Sequence, residues 1–135
     1  MVPVNDRLSQ ESFQQAFAQK ARIAARFYER LFEQTPELQS LFHNDQRHQQ
    51  EMFASLLVTV MRTFDKPDAL IAMAQRLSRA HKGYGVTPEQ YAKAEGALIG
   101  ALRDVLQEKF TPTVEEAWRR AIQVLITCMA DRGAD

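Results

Sequence analysis

Residues 67–91 read PDALIAMAQRLSRAHKGYGVTPEQY, and their reading decides the fold. Leu70, Met73, Ala74, Leu77 and His81 recur at intervals of three and four, so a helix lines them up on one stripe and turns the imidazole toward the apolar side. Pro67 suits a first helical position, where its missing N–H costs nothing. Gly83 and Gly85 break the chain just after His81, and Thr87-Pro88 opens another helix. The segment is a helix, a corner and a new helix, with an inward histidine at the corner.

The same signals recur on either side. Ser12 with Gln15 reads as a capping box ahead of Phe13, Ala16 and Phe17, and Thr35-Pro36, Lys66-Pro67 and Thr111-Pro112 each place proline at a helix start. The predicted helices run over 12–20, 21–34, 46–64, 67–81, 88–109 and 112–129, with a short helical turn over 36–42. No segment alternates apolar and polar residues over a strand's length, and five glycines leave little material for tight hairpins. The chain is predicted to be all-α, six to seven helices in one domain over residues 1–135, without repeats or a linker.

Composition narrows the function classes. A chain of 135 residues buries enough surface to fold without a disulfide or a structural metal. Lys plus Arg and Asp plus Glu stand at 17 each, so charge gives no reason to expect nucleic acid or an anionic membrane as a partner. Cys128 stands alone in a mostly apolar stretch, which fits inert packing and a reducing, cytoplasmic setting. The first residues, MVPVNDRLSQ, do not read as a secretory signal. Ala54 to Met61, the longest apolar run, falls far short of the ~20 residues that span a bilayer. There is no Gly-rich phosphate loop and no nucleophile elbow. His43, Asp45 and His48, dispersed on a polar loop, make a weak case for zinc.

Three inward polar side chains remain. His81 reads either as a core imidazole bonded to a backbone carbonyl or as an axial ligand to haem iron. Gln49 shares a stripe with Phe53, Leu56, Leu57, Val60 and Phe64, where end-fraying or a ligand-facing amide both account for it. Tyr28 lies among Ala24, Phe27, Leu31 and Phe32, and a buried tyrosine needs a partner for its hydroxyl. Together the three fit a cavity with a metal on one side and hydrogen-bond donors on the other. The absence of CxxCH means that any haem is held non-covalently.

These residues resemble a known family. RFYERLF over 26–32, then Pro36-Glu37 and Leu41-Phe42, is similar to the second and third helices of bacterial single-domain globins and of the haem domain of flavohaemoglobins. HKGYGV over 81–86, followed by TPEQY to Tyr91, is similar to their proximal corner, and FTPTVEEAW over 110–118 to the start of their last helix. The resemblance covers essentially the whole chain. It implies a globin fold around haem b, with His81 as the iron ligand, Phe42 stacked on the haem, Leu77 and Val86 on the proximal face, and Tyr28, Gln49 and Phe53 around the bound gas.

One position departs from the family's pattern. In flavohaemoglobins a tyrosine and a glutamate of the last helix polarise the proximal histidine. Tyr91 matches the tyrosine, but the glutamate's place falls at Gly133 when counted without gaps from Trp118, with Asp131 and Asp135 nearby and expected to fray. The resemblance thus implies reversible binding of O2, with NO and CO as further ligands. Its rivals are NO dioxygenation with a separate reductase, and a sensor or haemless regulatory globin. A monomer and a homodimer both fit, because no patch argues for either.

Overall fold

The computed structural model describes residues 7–37, 46–63, 66–81 and 87–133. Their regular structure is helical throughout: α1 (Arg7–Ala18), α2 (Lys20–Gln34), α3 (Gln46–Arg62), α4 (Pro67–His81), α5 (Pro88–Leu106) and α6 (Pro112–Gly133), with a 3-10 turn at Gln107–Lys109. None of these helices is long and apolar enough to cross a membrane.

Local chemistry explains most of the boundaries. Thr87 caps α5 in a reciprocal box: its hydroxyl accepts from the Gln90 amide at 3.1 Å, and the Gln90 side chain accepts from the Thr87 amide at 3.0 Å. Pro88 follows in the first helical position. Thr111 repeats half of this device, accepting from the Val114 amide at 3.3 Å ahead of Pro112. Thr63 marks the end of α3, where its hydroxyl turns back to the carbonyls of Thr59 and Val60.

Several predicted boundaries are corrected. Helix α1 begins at Arg7, so Ser12 is interior, fully buried, and its hydroxyl makes no hydrogen bond; the capping box does not form. No glycine or proline separates Arg7 from Ser12, so nothing stops the helix extending upstream. Thr35 does both jobs: its amide donates to the Leu31 carbonyl and closes α2, and Pro36 and Glu37 begin the expected helical turn, as a 3-10 turn. The rest of the expected turn, 38–42, lies outside the described residues, as do 64 and 65. Helix α5 stops at Leu106 because Gln107 takes φ 52° and ψ −121°, a left-handed conformation sparsely populated by non-glycine residues. Helix α6 runs on through Asp131, which was expected to fray, to Gly133, the first residue after Pro112 that resists helix.

The core runs through α2, α5 and α6. Trp118, Ile23, Leu57, Ile99, Leu102 and Val114 are the large residues with almost no exposed surface. Each aliphatic among them stabilises the fold by about 1.5–3 kcal/mol relative to exposure. Helix α2 packs on both α5 and α3, while α4 packs on α6. Among the described residues α3 and α4 make almost no direct contact with each other. Of the predicted site residues that are described, Gln49 and Phe53 stand on α3 and Leu77 on α4, two helices that lean on different neighbours.

Candidate functional site

On the α2–α3 side, burial turns Ile23, Ala24, Phe27, Tyr28 and Leu31 inward. The Tyr28 ring meets Phe53 of α3 edge-on, with centroids 5.7 Å apart and planes at 64°. Burial pushes the Tyr28 hydroxyl up to about 12, so it keeps its proton and can donate at any ordinary pH. Gln49 lies one helical turn before Phe53 and is half-buried, as Phe53 is. The structure therefore brings Tyr28 and Phe53 into contact, with Gln49 one turn before Phe53 on α3.

On the α4 side, Leu70, Met73 and Ala74 are buried and Leu77 is half-buried against the core. His81 is the last residue of α4, at the end of that stripe. Its side chain, Phe42 and Val86 lie outside what the structure describes. Tyr91 sits in the first turn of α5, 7% exposed, and burial raises its pKa above the usual tyrosine value. The Thr87 cap just before it fixes the start of that helix. Gly133 is within α6.

Two features of the site went unread in the sequence. Phe27 is the stacking partner of Phe53, with centroids 4.2 Å apart and planes 3° from parallel. The aromatic pair Phe27-Tyr28 was visible, but a cross-helix partner cannot be inferred from spacing along one helix. The second is the clamp that holds α2 against α5. Arg26 Nε and Arg30 Nε each donate to Asp104 at 2.8 Å, and Arg30 adds a second bond at 3.0 Å. Burial works against ionisation of Asp104, yet the bonds from Arg26 and Arg30 outweigh it and hold the carboxyl below its usual range. Gly100 makes room, since a Cβ there would come within 2.7 Å of the Arg30 guanidinium.

A second ion network ties α5 to α6. Arg119 reaches Glu95 at 3.2 Å and Glu115 at 3.0 Å, Arg103 reaches Glu115 at 2.6 Å, and Gln123 donates to Glu95. The bonds from Arg103 and Arg119 hold Glu115 below the ordinary glutamate range. For zinc there is no support among the described residues: they contain no cluster of three His, Cys, Asp or Glu, and His48 is exposed. His43 and Asp45 lie outside them. Cys128 is half-buried as a free thiol.

The family model for globins matches residues 25–129, from within α2 almost to the end of α6. This chain belongs to the globin family. The globin is 34% identical over 115 residues to a flavohemoprotein of Xylella fastidiosa, a match covering 83% of this chain and 29% of that protein. A flavohemoprotein of Halalkalibacterium halodurans is 30% identical over 106 residues, 76% of this chain and 26% of that protein. The matched segment spans under a third of either relative's length. Among solved structures, a candidate nitric oxide dioxygenase of Rhodothermus marinus engineered as a carbene transferase superposes with a TM-score of 0.76 at 28% identity, covering 96% of this chain and 93% of that one. A flavohemoglobin from Malassezia yamatoensis with bound FAD and heme gives 0.70 at 18% identity over 96% of this chain and 36% of that one, a likeness of fold. This globin is therefore related to the haem domains of flavohemoproteins.

Proposed function

We propose that this globin holds one b-type haem on His81, between α3 and α4, and reversibly binds a diatomic gas, O2 with NO and CO as further ligands, on the side of Tyr28 and Gln49. The observation that carries the reading is that among the described residues α3 and α4 share at most a marginal contact, while both present apolar side chains short of full burial. Phe53 and Leu56 on α3 and Leu77 on α4 are half-buried, and Met52 is 56% exposed. A flat apolar group between the helices would cover such surface at about 25 cal/mol per Å². The residues fit haem on this count, and an imidazole at the end of the α4 stripe has the donor chemistry that ferrous and ferric iron take. The absence of a CxxCH motif fits non-covalent attachment.

Bound haem supplies the iron at which a diatomic gas is held. The chain's own residues do the rest. Tyr28 stays protonated, so its hydroxyl donates toward the partial negative charge of a bound gas. Gln49 offers an amide from the same side, and the Phe53 ring excludes water from the space between them. Tyr91, buried at the start of α5, is the residue proposed to orient the His81 imidazole. Phe42, Val86 and Leu77 complete the proposed contacts with the macrocycle.

The relatives' names favour a second reading, NO dioxygenation with a reductase acting in trans. Gly133 weighs against it: without a carboxylate there, the imidazole is less polarised and a poorer electron donor. Nothing on α1–α6 favours a sensor or haemless role over these two.

The test is the absorption spectrum of wild type and His81→Ala, oxidised, dithionite-reduced, and reduced under CO. A Soret band that shifts under CO in wild type and is lost in the variant supports the reading. No band in wild type supplied with haem overturns it. Turnover of NO with an added reductase, rising in Gly133→Glu, would move the protein to the second reading.

A further inference from the structure

Four aromatic rings meet where α2 packs on α3. Phe27 and Phe53 lie face to face at 4.2 Å and 3°. Tyr28 sets its ring at a steep angle to both, 5.0 Å and 66° from Phe27 and 5.7 Å and 64° from Phe53. Phe32 closes on Tyr28 from the next turn of α2, at 5.7 Å. Phe27 is 6% exposed and Phe53 is half-buried, so the fixed member of the stack is Phe27 and the member with open surface is Phe53.

A helical phenylalanine chooses between two χ1 wells, and the choice swings its ring by several ångströms. Stacking on a buried, immobile ring removes that choice for Phe53. We infer that Phe27 sets the size limit of the gas site: by holding Phe53 in one rotamer, it fixes how bulky a ligand fits beside Tyr28. This rests on the reading of α2 and α3 as the wall facing the bound gas. Phe27 is a positioning residue, acting on the ligand through Phe53. The cluster then admits diatomic gases and rejects branched ligands because its wall cannot move aside.

The experiment compares CO with tert-butyl isocyanide on the reduced, haem-loaded protein in wild type, Phe27→Leu, Phe53→Leu and Phe110→Leu. Phe110, 8% exposed and lying just after the 3-10 turn, is the control for loss of a buried ring elsewhere. Phe27→Leu and Phe53→Leu should each raise isocyanide affinity relative to CO by about tenfold. The double variant should gain no more than the larger single, because both act through one ring. Phe110→Leu should lower the unfolding midpoint and leave the ratio unchanged.

A second readout needs no haem. In the haem-free protein the Phe53 ring protons should be displaced upfield in the carbon-edited NMR spectrum, and the displacement should shrink in Phe27→Leu, to what the Tyr28 ring still supplies, but persist unchanged in Phe110→Leu. A ratio that responds to Phe53→Leu alone, or to Phe110→Leu equally, overturns the inference, as do Phe53 resonances that ignore Phe27→Leu. Failure of wild type to take up haem overturns the gas-site reading and the size limit with it. That failure is distinguishable, because the ring displacement would still be seen.

Discussion

Helix α2 is held to its neighbours by two different chemistries on two of its sides. Its buried face, Ile23, Ala24, Phe27, Tyr28 and Leu31, meets the core through apolar surface and ring contacts. Its flank carries Arg26 and Arg30, which share Asp104 across the Gly100 gap on α5. The buried face is large in energy and indifferent to salt. The flank is partly solvated, with Asp104 33% and Arg26 37% exposed at the side chain, so it contributes little. The contrast separates the two roles: burial decides which residues face the core, and the ion clamp adds a partly solvated tie to α5.

The sharpest way to break this division is on the buried face. Leu31→Ala, at a residue 4% exposed, should cost about 2–5 kcal/mol in urea unfolding. Its effect should not change between low and high salt. A salt-dependent loss would mean the two sides are not independent.

Tyr28→Phe probes the polar atom on the same face. In the haem-loaded protein, O2 release should quicken about ten- to hundredfold, equivalent to ~1.5–3 kcal/mol, read by stopped-flow. An unchanged rate would mean that the hydroxyl points elsewhere. The same variant should alter the alkaline limb of stability. Because the folded-state pKa is raised from 10 to about 12, the hydroxyl's contribution is complete below pH 10 and is lost as pH climbs through 12. Wild type should lose about 2 kcal/mol over that window, and Tyr28→Phe should lose visibly less.

On the flank the effects shrink. Asp104→Asn should cost about 1 kcal/mol at neutral pH, less in high salt. The pKa of Asp104 is lowered by its arginines, so its contribution is present above the ordinary carboxylate value of 3.8 and fades as pH falls below it. Wild type and variant should therefore converge in acid. The smallest net change is expected for Gly100→Ala. The new methyl displaces the Arg30 guanidinium and leaves Arg26 on Asp104, while removing a mid-helix glycine returns about 1 kcal/mol, so stability should barely move although the salt sensitivity of the clamp falls. A large net loss would show that Arg30 cannot shift and that the flank is more rigid than its exposure implies.

Signals carried within one turn of chain were legible in the sequence. Thr87-Pro88 marks the start of α5, Pro67 that of α4, and spacing alone turned Tyr28 and Phe53 inward. Ser12 misled because its motif also suits a small residue buried mid-helix, and the stretch upstream of it contains no breaker. Gln107 was missed because nothing in its identity announces a left-handed conformation. The Phe27–Phe53 stack and the Asp104 clamp join residues 26 and 74 or more positions apart, pairings that periodicity along a helix does not encode.

That α3 and α4 lean on different neighbours matters for assembly. Helix α3 is attached chiefly through α2 and α4 chiefly through α6, with α5 linking those two, so the proposed haem, held between α3 and α4, would become part of the interior and add a direct link between them. Its binding energy is then also folding energy, adding roughly 1.4 kcal/mol for every tenfold excess over its dissociation constant. A chain built this way need not be fully cooperative by itself. On the proposed reading haem would supply that link, so the loaded protein should unfold as one unit and the unloaded protein in stages, with α3 and α4 exchanging their amide protons at different rates.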